Sequence, residues 1–274
     1  MEQCKIVFVG GGNMASSIFG GLLREDCHAE NIYVCDPDQQ KLDALHKRYG
    51  VNVSTHNDDF VALADVLVLA VKPQMMHQVV ESLAPKVRKE TLIVSVAAGI
   101  REKDFTRWMA GDFAIVRCMP NTPSLVQTGA SGLFANAHVS EAQHDLAESL
   151  MRAVGIVVWL EDESQMDAVT ALSGSGPAYI FLVMEAMQKA AEALGLTPEQ
   201  AKLLTTQTAL GAAKMAMESE EEVSELRHRV TSPGGTTEQG VNTLLQEGLM
   251  TAFSQALQAA DNRSKELAEM LGGE

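Results

Sequence analysis

The chain has 274 residues, 46% of them hydrophobic and 21% charged, enough to bury a sizeable core and to form two domains. A net charge of -15, spread along the chain rather than gathered in a tail, argues against nucleic acid or an anionic membrane as partner. Cys4, Cys27, Cys35 and Cys118 lack Cys-x-x-Cys spacing and read as reduced structural thiols of a cytoplasmic protein, with neither a secretory leader nor a membrane span expected.

The first element is an apolar strand, Lys5–Val9, running into Gly10-Gly11-Gly12-Asn13-Met14-Ala15 and an amphipathic helix bearing Met14, Ile18 and Leu22. This is the strand–Gly-x-Gly-x-x-Ala–helix pattern of a dinucleotide site. Gly10 permits the tight turn, Gly12 lets backbone approach a pyrophosphate, and Ala15 is small enough for close helix–strand packing. A second strand, Ile32–Cys35, ends in Asp36. Further β-branched runs lie near 66–70, 92–97 and 114–118, with helical patterns between them, and Ser131–Ala135 and Gly155–Leu160 extend the sheet edge. The alternation predicts an α/β fold whose N-terminal Rossmann-type domain is a parallel, doubly wound sheet over 1–161. The runs at 66–70 and 92–96 lack inside–outside alternation, as strands covered on both faces do.

From Glu161 the strand signal stops, and residues 162–274 read as an all-α domain for substrate binding and dimerisation. Helices are expected at Pro177–Leu194, Pro198–Met217, Thr236–Glu247 and Met250–Leu271. The first is apolar around nearly its whole circumference, so a second subunit is expected to help cover it. The methionines are packing residues, and no metal site is expected.

Ligands of a doubly wound sheet sit beyond the carboxyl ends of its strands. Those ends carry Ala70-Val71-Lys72-Pro73, Ala97-Ala98-Gly99 and Met119-Pro120-Asn121-Thr122-Pro123. Lys72 falls beside the expected nicotinamide end, and Asn121 can offer donors from a rigid turn. In Thr231-Ser232-Pro233-Gly234-Gly235-Thr236-Thr237-Glu238-Gln239, Thr236 and Gln239 have capping-box spacing at a helix start. With hydroxyls on Ser232, Thr236 and Thr237, this start suits a small carboxylate. Ser173-Gly174-Ser175-Gly176-Pro177 reads equally as a close-packed helix start or as a cleft lining.

Together with Ser95-Val96 and Ala178-Tyr179, these stretches resemble the pyrroline-5-carboxylate reductases of proline biosynthesis, over nearly the whole chain. The resemblance implies hydride transfer from NADPH or NADH to 1-pyrroline-5-carboxylate, giving L-proline, in an interlocked dimer and often a ring of five dimers. It implies cofactor contacts at Gly10, Gly12, Asn13, Met14, Asp36, Asn57, Ala70, Val71, Lys72, Pro73, Ala97, Ala98, Gly99 and Asn121. It also implies substrate contacts at Glu163, Ser232, Gly235, Thr236 and Thr237, with the Thr237 hydroxyl near the ring nitrogen as the catalytic group. Asp36 departs from the small polar residue of many relatives and favours ribose hydroxyls over a 2′-phosphate, an effect Arg229 offsets if it reaches the cofactor. Two other readings are a β-hydroxyacid dehydrogenase and a non-catalytic dinucleotide sensor. The first requires a lysine four residues beyond Gly174-Ser175-Gly176, where this chain has Ile180.

Overall fold

Every residue of Ile6–Val9 is buried, as a short apolar run covered on both faces of a sheet must be. The computed structural model describes residues 4–25 and 27–273 and places this strand, β1, in the middle of an eight-stranded sheet. The other strands are β2 (Ile32–Cys35), β3 (Asn52–Ser54), β4 (Val66–Leu69), β5 (Leu92–Ser95), β6 (Ala114–Met119), β7 (Gly129–Ala135) and β8 (Gly155–Trp159). Their order is β3-β2-β1-β4-β5-β6-β7-β8. Consecutive strands run outward from β1 in one direction to β3 and in the other from β4, so the switch of direction falls between β1 and β4. Its register aligns Val9 with both Cys35 and Leu69, bringing three strand ends to one level.

The expected parallel sheet is correct except at one ladder. β7 runs antiparallel to β6, with Val116 opposite Ala135 and Met119 opposite Gly132. The connection is a single 3₁₀ turn, Thr122–Val126, left by Gln127 in the left-handed region at φ 59. That reverses the chain in too few residues for a helical crossover. β3 was not expected: three residues with none buried carry no periodic signal.

Helices α1 (Asn13–Leu22), α2 (Gln39–Tyr49), α3 (Pro73–Leu83), α4 (Glu102–Met109) and α5 (Glu141–Arg152) cover both faces. Alternate strand residues feed two cores. Ile6, Phe8, Val34, Val68 and Val94 pack with Ile18, Phe19 and Leu150. Val7, Val9, Leu67, Leu69 and Ile93 pack with Met76, Phe105 and Trp108 on the other face. A short α6 (Gln165–Val169) follows β8 and continues as a π turn through Gly174.

The chain forms two compact units, one running to Ser175 and including Ala259 onward, the other Gly176–Gln258. The division expected at 161/162 was drawn where the strand signal ends. Contacts carry the first unit further, since a Cβ on Gly132 of β7 would lie 2.7 Å from Val169 of α6. The second unit holds α7 (Gly176–Ala193), α8 (Pro198–Glu218), α9 (Val223–Arg229), α10 (Thr236–Gln246) and the start of α11 (Leu249–Gly272). The end of α11 returns to the first unit. Ser264 donates to Asp167 at 2.6 Å, Arg107 donates to the carbonyls of Gly272 and Gly273, and Leu271 packs on Gly99. α9 went unseen in the sequence because its polar heptapeptide has no apolar stripe. Within the chain no residue of α7 is buried, and Ile180, Phe181 and Leu182 are 52%, 64% and 66% exposed.

Candidate active site

Gly10 stands at the switch point. Its N–H donates to the Cys35 carbonyl at 2.7 Å, its φ is +102°, and a Cβ would lie 2.6 Å from the Ala70 oxygen. Only glycine meets both conditions. Gly12 precedes α1 with extended backbone, φ -74° and ψ -177°, and a Cβ there meets nothing within 4 Å. The space beside the first turn of α1 is therefore open on the side that Gly12 faces. Gly12 provides no side-chain cap and the first turn carries no acidic residue. The N–H groups of Asn13, Met14 and Ala15 are those a helix leaves without an intrahelical partner, so an anion fits here.

Asp36 closes the next strand and is buried. Its Oδ2 accepts from the Gly11 N–H at 2.9 Å and its Oδ1 from the Asp38 N–H at 3.0 Å. Lys41 Nζ donates to the same carboxylate at 2.9 and 2.8 Å. Burial works against its ionisation, but these hydrogen bonds and the Lys41 charge together hold the carboxyl below the usual range. The Lys41 partnership was missed in the sequence. Its signal is Asp38, whose side chain caps α2 by accepting from the Lys41 N–H at 3.1 Å and so sets Lys41 in the first turn. The neighbouring Cys35 thiol is pushed up to about 12 by burial and then by the Asp59 charge, which leaves it unreactive near neutral pH. All four cysteines are free.

The remaining cofactor candidates of the first unit gather at the same edge of the sheet. Asn57 opens the 3₁₀ turn after β3. Ala70 and Val71 abut Gly10, Lys72 precedes α3 with an exposed side chain, and Pro73 occupies the first helical position. Ala97, Ala98 and Gly99 follow β5, with Gly99 at φ +76°. Asn121 is turned inward: its amide donates to the Ser173 carbonyl and its oxygen accepts from the Ala130 N–H, both at 3.0 Å. The amide carries a second N–H besides the one given to Ser173. Glu163 is an anchor. Its carboxylate accepts from the Glu102 N–H at the start of α4 at 2.6 Å and from Arg117 at 2.8 Å, beside a cavity of about 430 Å³.

In the second unit, Ser232, Gly235, Thr236 and Thr237 form the loop and first turn of α10. The expected Thr236/Gln239 capping box is absent. Gly235 occupies the cap position with no side-chain cap, Thr236 is the first helical residue, and Gln239 donates its N–H to the Gly235 carbonyl. Glu238 instead reaches back to the Gly234 N–H at 2.8 Å. Gly234 at φ +72° brings the loop round tightly enough for the Gly235 N–H to reach the Ser232 carbonyl at 3.0 Å. Freed from capping, the exposed Thr236 and Thr237 hydroxyls bond to no side chain or carbonyl among the described residues. Thr236→Ala is therefore expected to leave the thermal midpoint unchanged, and a drop of several degrees would restore the cap. Arg229, by contrast, is committed, donating to both Glu221 oxygens at 2.7 and 2.9 Å.

Two family models match the chain: NADP oxidoreductase coenzyme F420-dependent over residues 5–99, and pyrroline-5-carboxylate reductase dimerisation over residues 163–267. A pyrroline-5-carboxylate reductase of Pseudomonas aeruginosa is 52% identical over 99% of this chain and 100% of its own length. The chain belongs to the pyrroline-5-carboxylate reductase family. The structure of such a reductase from Coxiella burnetii superposes with a TM-score of 0.93 at 49% identity, covering 98% of this chain and 100% of that one. The Plasmodium falciparum pyrroline carboxylate reductase, solved with NADP bound, superposes at 0.87 with 29% identity and the same coverages. The matched dimerisation region contains all of α7 with its exposed apolar face, and this region carries self-association in the family. Among the described residues no helix is long and apolar enough to cross a membrane.

Proposed function

We propose that this chain reduces 1-pyrroline-5-carboxylate to L-proline with NADPH or NADH, the final step of proline biosynthesis, as a cytoplasmic enzyme. The observation that carries the reading is the start of α10, where uncapped first-turn N–H groups are followed by two residues with uncommitted hydroxyls, in a chain 52% identical to a reductase of that name over its whole length. When bound, the nicotinamide supplies the hydride. The chain's own residues supply the rest. The N–H groups at Thr236 and Thr237, with the Ser232 hydroxyl, hold the substrate carboxylate, and Gly235, whose own N–H is spent on the Ser232 carbonyl, shapes the loop that presents them. The Thr237 hydroxyl orients the ring at its nitrogen. Hydride adds to the imine carbon, the C=N π pair becomes the nitrogen lone pair, and the positive charge of the protonated imine is discharged, so no strong acid is needed. Holding two reactants in register supplies most of the acceleration. Glu163, whose carboxylate accepts from Arg117 and from the first N–H of α4, is the further substrate contact of this reading.

The glycine turn, Asp36, Asn57, Lys72, the Ala97–Gly99 loop and Asn121 form the cofactor side of this reading. The test is the fall in nicotinamide absorbance on adding 1-pyrroline-5-carboxylate, with no oxidation of 3-hydroxy acids. Activity toward the hydroxy acids alone would overturn it.

The proposed assembly is an interlocked dimer, with five such dimers in a ring. Phe181→Asp places a carboxylate on the exposed face of α7, and once a partner desolvates it the group must either stay charged without a counter-ion or take up a proton, at a cost of several kcal/mol or more. Monomers with little activity are expected by sedimentation. A fully active, well-folded monomer would refute the interlock.

A further inference from the structure

Asp36 accepts four hydrogen bonds: Gly11 N–H and Lys41 on Oδ2, Asp38 N–H and Lys41 on Oδ1. A carboxylate offers about four lone-pair sites, so this one is saturated from within the chain. It therefore has no acceptor left for ribose hydroxyls, the contribution an acidic residue at this position makes in NAD-selective sites. Its charge is matched as well, so it does not stand as a bare anion against a phosphate. Lys41 is differently placed. Its ammonium has three donors, at most two of them used on Asp36, and its side chain is 40% exposed where that of Asp36 is 8% exposed. The pair thus presents a fixed cation to solvent at the end of β2, where a doubly wound site receives the adenosine ribose.

We infer that Lys41, aimed by Asp36, reads the adenosine 2′-phosphate and makes this site select NADPH over NADH. The inference rests on the reading of the Gly10–Ala15 turn as the dinucleotide site. Asp36 thereby changes role, from the group that excludes a 2′-phosphate to the group that orients its counter-charge. It also ties the glycine loop, through Gly11, to the start of α2, through Asp38, so the cation is held in register with the N–H groups of α1.

The test is calorimetric titration of the full-length protein with adenosine 2′,5′-bisphosphate and adenosine 5′-monophosphate, which differ only in the group concerned. The parent is expected to bind the bisphosphate more tightly. Lys41→Ala should weaken the bisphosphate about ten- to a hundredfold, as loss of a hydrogen bond between charged groups does, and change the monophosphate by less than about twofold. Lys41→Arg should retain the difference. Lys41→Gln, with thermal midpoints measured alongside, guards against a folding defect in the alanine variant. Equal weakening of both nucleotides would make Lys41 a structural partner of Asp36 and overturn the inference while leaving the dinucleotide site intact. Unchanged affinities in both the alanine and the glutamine variant would overturn it too. Failure of the parent to bind either nucleotide would remove the site reading itself.

Discussion

Gly12→Asp is expected to abolish dinucleotide binding without loss of stability. The position has ordinary extended backbone and open space where the Cβ would stand, so nothing in the chain must move. An aspartate at this cap position accepts the first-turn N–H groups of α1, stabilising the helix by a few tenths of a kcal/mol relative to glycine. Those are the groups a pyrophosphate needs. Losing two charge-assisted hydrogen bonds, with a like charge added, amounts to about 3–6 kcal/mol, or roughly a hundred- to ten-thousandfold in affinity. The check is a thermal midpoint at or slightly above the parent together with loss of NADPH binding. Retained affinity would move the cofactor away from this turn. Gly10→Ala makes the contrast, since its φ of +102° and the 2.6 Å approach to Ala70 require the fold itself to give.

Thr237→Ala is expected to lower kcat/KM about ten- to a hundredfold, the cost of one hydrogen bond of roughly 1.5–3 kcal/mol to a charged group. Stability should not change, because the side chain is exposed and caps nothing. Thr237→Ser should keep most of the activity, since it keeps the hydroxyl. Full activity in the alanine variant, with Thr236→Ala impaired, would assign the two threonines the other way round.

The glycine turn was legible because its constraints are local. A strand, a Gly-x-Gly-x-x-Ala spacing and a helix follow in order, and the switch point comes with the topology they specify. The central strands were legible for the same reason, as unbroken apolar runs. What the sequence withheld depends on contacts between distant segments. The reversal of β7 turns on one 3₁₀ turn closed by Gln127, the early end of the second unit on α11 returning to Gly99, and the anchoring of Glu163 on Arg117 of β6. Capping was misjudged by one residue at α10. Thr236 and Gln239 have the right spacing, but Gly235 already supplies the cap carbonyl and Glu238 takes the return bond. Asp36 was seen as a charge and not as a saturated acceptor, because its neutralisation requires α2 to start at Gln39 and turn Lys41 back toward the strand end.

The most direct measurement of the central claim is the fate of the transferred hydrogen. The protein is incubated with 1-pyrroline-5-carboxylate and NADPH or NADH deuterated on either face of nicotinamide C4, and the product is analysed by mass spectrometry and NMR. L-proline one mass unit heavier, with deuterium only at C5 and from one face of the nicotinamide, is the predicted result. Unlabelled proline, label at another carbon, or no proline at all would contradict it.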